Sequence, residues 1–330
     1  MRRRGALLGS AAALALPALA RAQGFPSRPV KIVVPFPPGG GADITARLLG
    51  EQMAPLLGQP VVVENRPGAG GNIAADAVAR AAPDGYTLFL GGATIFCANK
   101  YLYRTAMPFD ALRDFAHLSR VMVATTLLVS RADRPWTDFA GMVAAAASRS
   151  AGTRITAGNS GLGTISHLSL SKLAKEAKVE FSHVPYRGLA PSLNDLLAGN
   201  VDLVFDGIPA IVPHVREGRL RALAVGSAGR VDYVPGLEAV PGMAELLPGT
   251  DMDMEFWYCT SAPAGTPAAV VQRLHAATAG AVRHPGYAGK LLPLGFNAVA
   301  DESPEALTDF IRSQDPVWRG LVEVSGARLE

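Results

Sequence analysis

The chain has 330 residues, enough for about two domains at roughly 100–200 residues each. Hydrophobic residues make up 49% of it and charged residues 18%, which excludes a disordered chain and leaves apolar material for two cores. Its formal charge of +3 becomes −1 once Arg2, Arg3, Arg4 and Arg21 leave with the N-terminal segment, and a nearly neutral chain without a basic stripe is excluded as a nucleic-acid binder.

Met1 and the three arginines after it form a positive n-region, followed by a small apolar stretch from Ala6 to Ala20 that Pro17 interrupts. Ala20-Arg21-Ala22 fits an A-x-A cleavage site. The stretch is shorter than the ~20 residues a spanning helix needs. Residues 1–22 therefore read as a signal peptide cleaved near Ala22. The arginine run fits a twin-arginine signal loosely and a Sec signal as well.

The mature chain opens with a β-branched run at 30–35, broken by Pro37-Pro38-Gly39-Gly40-Gly41. Ile44, Leu48, Leu49 and Met53 then recur at helical spacing over 43–56. A strand at 61–63, a Gly-rich turn at 66–72, an Ala-rich helix at 73–82 and a strand at 86–90 follow. Strands alternating with helices predict a mainly parallel α/β sheet. The pattern restarts with strands at 154–157, 179–184, 201–205 and 220–225 and helices at 167–177, 191–198 and 208–217. The apolar runs at 121–130 and 220–225 are candidates for the two crossings of a hinge, with a later return left open. A strand at 256–261 and amphipathic helices at 268–282 and 304–324 complete the chain. The lobes expected are 23–124 with 253–330, and 125–252.

The strongest local feature is the loop from Phe36 through Pro38, Gly39, Gly40 and Gly41 to Asp43. It leaves a buried strand and enters a helix whose free N–H groups and positive dipole end suit an anion. A tight strand–helix turn with Asp43 as the cap is the plainer reading. The loops at 68–72 and 158–164 have the same character, and three such helix starts at strand ends form the crevice where open α/β sheets bind ligands. Asp206, at a strand end, is a candidate to hold a water, a hydroxyl or an amine, or else a helix cap. Arg187 is either a carboxylate partner or a solvated charge. Residues 252–257 alternate acidic and apolar side chains and read as strand without a site. No dinucleotide, P-loop or G-x-S-x-G spacing is present. A hydrolase or isomerase would have only Ser160 or Thr164 with His167, lacking a third member. Cys97 and Cys259 read as buried thiols, and the six histidines show no metal-ligand spacing with them.

Several stretches resemble the Bug family, the periplasmic solute-binding components of tripartite tricarboxylate transporters. They are PSRPV through PFPPGGGAD at 26–43, GQPVVVENRPGAGGN at 58–72, APDGYTL at 82–88, GLGT with His167-Leu168, HVPYRG at 183–188, GRLRALAV at 218–225 and APAGTP at 262–267. The resemblance implies a type II periplasmic-binding-protein fold, two α/β lobes joined by a two-strand hinge and closing over a small carboxylate. It also implies a monomer without cofactor, metal or catalysis, which delivers its ligand to two integral membrane subunits. Serving a sensor protein as an orphan receptor would use the same site. Carried over to this sequence, the ligand-binding residues are the Phe36–Asp43 loop, Gly70, Thr94, Ser160, Gly163, Thr164, His167 and Asp206. Phe96 stands where many members carry a His. Facing the cleft, it would favour an aromatic or less polar acid.

Overall fold

The computed structural model describes residues 24–148 and 154–330. The signal-peptide reading of residues 1–22 lies outside them. The first strand, β1 (Val30–Val34), is buried at every position but Lys31, so it needs cover on both faces. Helix α1 (Gly41–Leu57) supplies one cover through Ala42, Ala46, Leu49 and Met53. β2 (Val61–Asn65), α2 (Asn72–Ala79) and β3 (Thr87–Gly92) follow, and β1 pairs in parallel with both strands. A helical turn at Thr94–Ala98, α3 (Asn99–Leu102) and β4 (Phe115–Ala124) lead to the edge of this lobe.

The chain then enters a second sheet through β5 (Thr126–Arg131), α4 (Phe139–Ala147), β6 (Ile155–Asn159), α5 (Ile165–Glu176), β7 (Phe181–Pro185), α6 (Leu189–Ala198), β8 (Leu203–Gly207), α7 (Ile208–Arg216) and β9 (Leu220–Val225). Its strand order is β7-β6-β8-β5-β9. After α8 (Met243–Leu246) the chain returns through β10 (Phe256–Pro263), α9 (Ala268–Arg283), α10 (Pro285–Leu291), β11 (Phe296–Asn297) and α11 (Pro304–Ser325). The first sheet then has the order β11-β4-β10-β3-β1-β2.

Both sheets are mixed, not mainly parallel as strand–helix alternation predicts. β10 runs antiparallel to β3 and β4, and β5 antiparallel to β8 and β9. The cause is the crossing: a strand that leaves one sheet to enter the other joins it against the grain of the βαβ units. The apolar run at 121–130 is the end of β4 and most of β5, with only Thr125 between them. The return is at 254–256, not at β9, which stays in the second sheet. The two crossings lie together. The Gly226 N–H donates to the Thr126 carbonyl (2.7 Å) and the Met254 N–H to the Gly226 carbonyl (2.8 Å). Gly226 leaves no room for a side chain, since a Cβ there would stand 2.2 Å from Thr126 Oγ1.

Helix α11 ties the lobes together on the far side. Its apolar face of Leu307, Ile311, Trp318, Leu321 and Val322 shares one core with Phe96 of the first lobe and Leu168 and Leu173 of α5. Its start is anchored by Arg120, whose Nε and terminal nitrogen donate to Asp301 Oδ1 (2.9 and 2.7 Å) while its backbone N–H donates to Oδ2 (2.6 Å). The same guanidinium lies 4.1 Å from the Phe310 ring centre. Replacing Asp301 with Ala strands that guanidinium, and urea unfolding is expected to register a loss of about 3 kcal/mol. A loss below about 1 kcal/mol, the surface ion-pair range, would remove this anchor from the account.

Candidate functional site

Where the two lobes face each other they enclose a cavity of about 270 Å³. The first lobe lines it with Phe36, Gly70, Thr94, Asn99, Leu102 and Tyr103, and with Phe256, Trp257 and Tyr258 of β10. The second lobe contributes Leu162, Gly163, Thr164, Ile165 and Asp206. Two larger hollows, of about 790 and 690 Å³, lie on the surface beside α11 and hold none of the residues expected to bind.

The α5 end of the cavity is built by the loop from Asn159 to Thr164. The Asn159 side chain accepts the Gly161 N–H (3.0 Å), and Thr164 Oγ1 donates to the Gly161 carbonyl (2.7 Å) and caps His167 N–H (3.4 Å). That leaves the N–H groups of Ile165 and Ser166, in the first turn of α5, without intrahelical acceptors. Gly163, at φ +76°, holds its N–H toward His167 Nδ1 (3.4 Å), so the ring proton sits on Nε2. A Cβ at Gly163 would stand 2.9 Å from the Leu102 side chain across the cleft. On the other side of the lobe seam, a Cβ at Gly295 would meet Ile208 at 2.7 Å. The lobes therefore touch on both flanks of the cavity.

Among the described residues, the wall carries no Lys or Arg. His167 supplies no cation either, because burial, with help from the neighbouring His183, pulls its pKa down to about 4. Anion recognition here falls to N–H and O–H groups and to the positive end of α5, worth about half a charge. Asp206 is the one acid on the wall. It accepts hydrogen bonds from Ser160 Oγ and from the Gly207 N–H (2.7 Å). Burial nevertheless raises its pKa, the hydrogen bonds it accepts only partly opposing the rise. Tyr258, pushed up to about 12 by burial and by Asp206, keeps its hydroxyl proton at neutral pH.

Six of the expected residues thus line this one cavity: Phe36, Gly70 and Thr94 from the first lobe, and Gly163, Thr164 and Asp206 from the second. Ser160 stands behind Asp206, and His167 behind Gly163. Pro38, Gly39, Gly40, Gly41 and Asp43 lie outside the wall. Gly39 and Gly40 face solvent, and a Cβ on Gly41 would strike the Phe296 ring (2.8 Å). Asp43 is consumed as a brace, accepting from the Gly39 N–H (2.9 Å), Arg47 (2.8 and 3.0 Å) and Asn65 (3.0 Å). Burial would raise its pKa, but these donors, Arg47 first, hold it below the usual range. Phe96 does not face the cleft. It is 2% exposed and packs edge-on against Phe89, Phe115 and His117, so the ligand preference expected from it loses its premise. Arg187 is exposed and away from the cavity.

Sequence reasoning passed over Tyr103, Leu102, Leu329 and the Phe256-Trp257-Tyr258 run. The last had a signal, three aromatics opening a strand, but the alternating acids at 252–257 read as strand approach without a site. Cys97 and Cys259 are buried free thiols.

The native state holds the Asp206 proton more tightly than the unfolded chain does. The stability this confers is full below the ordinary carboxylate range and is lost as pH rises through the raised value. Asp206→Asn keeps the shape, and the Ser160 hydroxyl can turn to accept from the amide. Thermal melts should show the variant gaining on the wild type as pH rises above the ordinary carboxylate range. A constant offset at all pH values would mean the carboxyl is not strained by burial.

The family described as tripartite tricarboxylate transporter family receptor matches residues 45–326. The UPF0065 protein in the tcbD-tcbE intergenic region of Pseudomonas sp. (strain P51) is 38% identical over 304 residues, covering 92% of this chain and 88% of that protein. Among solved structures, an R. palustris protein with adipate is 34% identical with a TM-score of 0.81, over 92% of this chain and 100% of the other. The periplasmic binding protein BugD is 33% identical with a TM-score of 0.79, over 93% and 100%. With two lobes around a cavity, and a family match running from the second turn of α1 to the end of α11, the chain belongs to the tripartite tricarboxylate transporter receptors, periplasmic solute-binding proteins of the Bug type.

Proposed function

We propose that this receptor captures a small carboxylate in the cavity between its lobes and delivers it to the two integral membrane subunits of a transporter. In this reading it is exported, loses residues 1–22 at Ala22, acts as a monomer and performs no catalysis. The observation that carries the proposal is the cavity itself. Both lobes contribute to it, it has no cationic side chain, and the open first turn of α5 and several hydroxyls border it. A carboxylate needs donors, and preorganised amides provide them without the ordering cost of long Lys or Arg side chains. The adipate bound by the similar R. palustris protein agrees in charge and size.

Asp206 fits the same reading through its environment. A carboxyl that retains its proton can donate to an anionic ligand, and once ionised it accepts from a ligand hydroxyl or amine. Delivery requires release, and the lobes open about the crossings at Thr125 and 254–256 only as the packing of α11 on α5 gives way.

Thermal unfolding of the chain from Gln23 against mono-, di- and tricarboxylates tests the proposal. A ligand at ~100 Kd adds roughly 2.7 kcal/mol, a shift of about 5–10 °C at this size. Gly163→Leu, which forces a side chain between the Leu102 and α5 sides of the cleft, should abolish the shift. An equal shift in that variant would place the ligand elsewhere. No shift with any carboxylate, in folded ligand-free protein, would overturn the carboxylate reading.

A further inference from the structure

The cavity has a third contributor besides the two sheets. Helix α11 ends at Gly326 in the left-handed conformation, and the segment after it turns back over the cleft. Leu329 is fixed to the first lobe by two backbone bonds. Its N–H donates to the Leu102 carbonyl (2.7 Å), and its carbonyl accepts the Arg104 N–H (2.9 Å). Its side chain lines the cavity and reaches across to the second lobe, where a Cβ on Gly163 would lie 3.4 Å from Leu329 Cδ1. Leu102, 1% exposed, leans on the same glycine. The two leucines therefore form a clasp that belongs to one lobe and closes on the other.

The clasp settles the chemistry of one side of the cavity. Thr94, Asn99, Tyr103, Thr164, Asp206 and Tyr258 supply polar side-chain atoms, whereas the side chains of Leu102, Leu162, Ile165 and Leu329 supply only hydrocarbon. A hydroxyl or a second carboxylate held against that hydrocarbon would lose its water without gaining a partner. The volume of about 270 Å³ holds roughly nine water volumes at ~30 Å³ each, the space of a ligand with about ten non-hydrogen atoms. We propose that Leu329 is a specificity-determining residue, and that with Leu102 it restricts the site to carboxylates of that size with an unsubstituted apolar body, against hydroxylated tricarboxylates. The proposal rests on the reading that the cavity binds a carboxylate, and it adds which carboxylates and by what means.

The test is titration calorimetry with two size series, adipate against suberate and benzoate against naphthoate, with citrate as the polar probe. It compares the wild type, Leu329→Ala and the volume-conserving Leu329→Met. The wild type should bind a member of one series at least about tenfold more tightly than citrate. Leu329→Ala removes bulk from the clasp and should move the ratio of larger to smaller acid by about fivefold or more toward the larger, while Leu329→Met stays within about twofold of the wild type. Citrate as the preferred probe, or equal changes for both members of a series in Leu329→Ala, would overturn the specificity proposal and leave carboxylate capture standing. Wild-type protein that is folded, ligand-free and binds no acid at all would overturn both.

Discussion

The chain has a single residue, Thr125, in which to pass from one sheet to the other, and that shortage of chain governs the rest of the molecule. β4 and β5 are nearly one strand, so the lobes cannot drift apart. The return at 254–256 is bonded to the first crossing through Gly226, so they cannot twist independently either. Each lobe is a set of βαβ units whose helices start at strand C-terminal ends. Joining two such sets at this short distance points their loops at one another. The cavity is the space left between them.

That arrangement explains a site made of backbone and hydroxyls. A loop between a strand and a helix offers free N–H groups wherever the first turn is uncapped, as at Ile165 and Ser166. It also needs bracing, and the side chains nearest the loops are used for that. Asp43 is spent on Gly39, Arg47 and Asn65, Asn159 on Gly161, and His167 on Gly163. The ionisable residues that sequence reading singles out are for the most part the scaffold, and Asp206 alone reaches the wall. Its raised pKa follows from the same cause, since a buried carboxyl loses water that the hydrogen bonds it accepts only partly replace.

Much of the fold was legible in the sequence because it is written in local periodicity. The β-branched runs at 30–35 and 61–63 and the 3.6-residue spacing over α1 need no tertiary information. What the sequence did not disclose depends on the crossings. The run at 121–130 reads as a hinge crossing and does hold the step at Thr125, but no local signal says that the return lies at 254–256 and not at 220–225, or that β10 joins β3 and β4 in the opposite sense. The site divides in the same way. Gly70, Gly163 and Thr164 announce themselves as glycines and a hydroxyl at helix starts, whereas Thr94 comes only from the family resemblance. Gly39 and Gly40 look the same in sequence but face solvent. Leu329 and Leu102 are ordinary leucines until α11 has been packed across both lobes, more than 200 residues from one to the other.

Backbone hydrogen exchange with and without a bound carboxylate such as adipate tests most directly whether the cavity works by joining the lobes. The account predicts simultaneous slowing at amides 163–166 of the second lobe and at 94–104 and 329 of the first, since a ligand that bridges the cleft must hold both walls. Slowing confined to one lobe, or to the surface hollows beside α11, would contradict it.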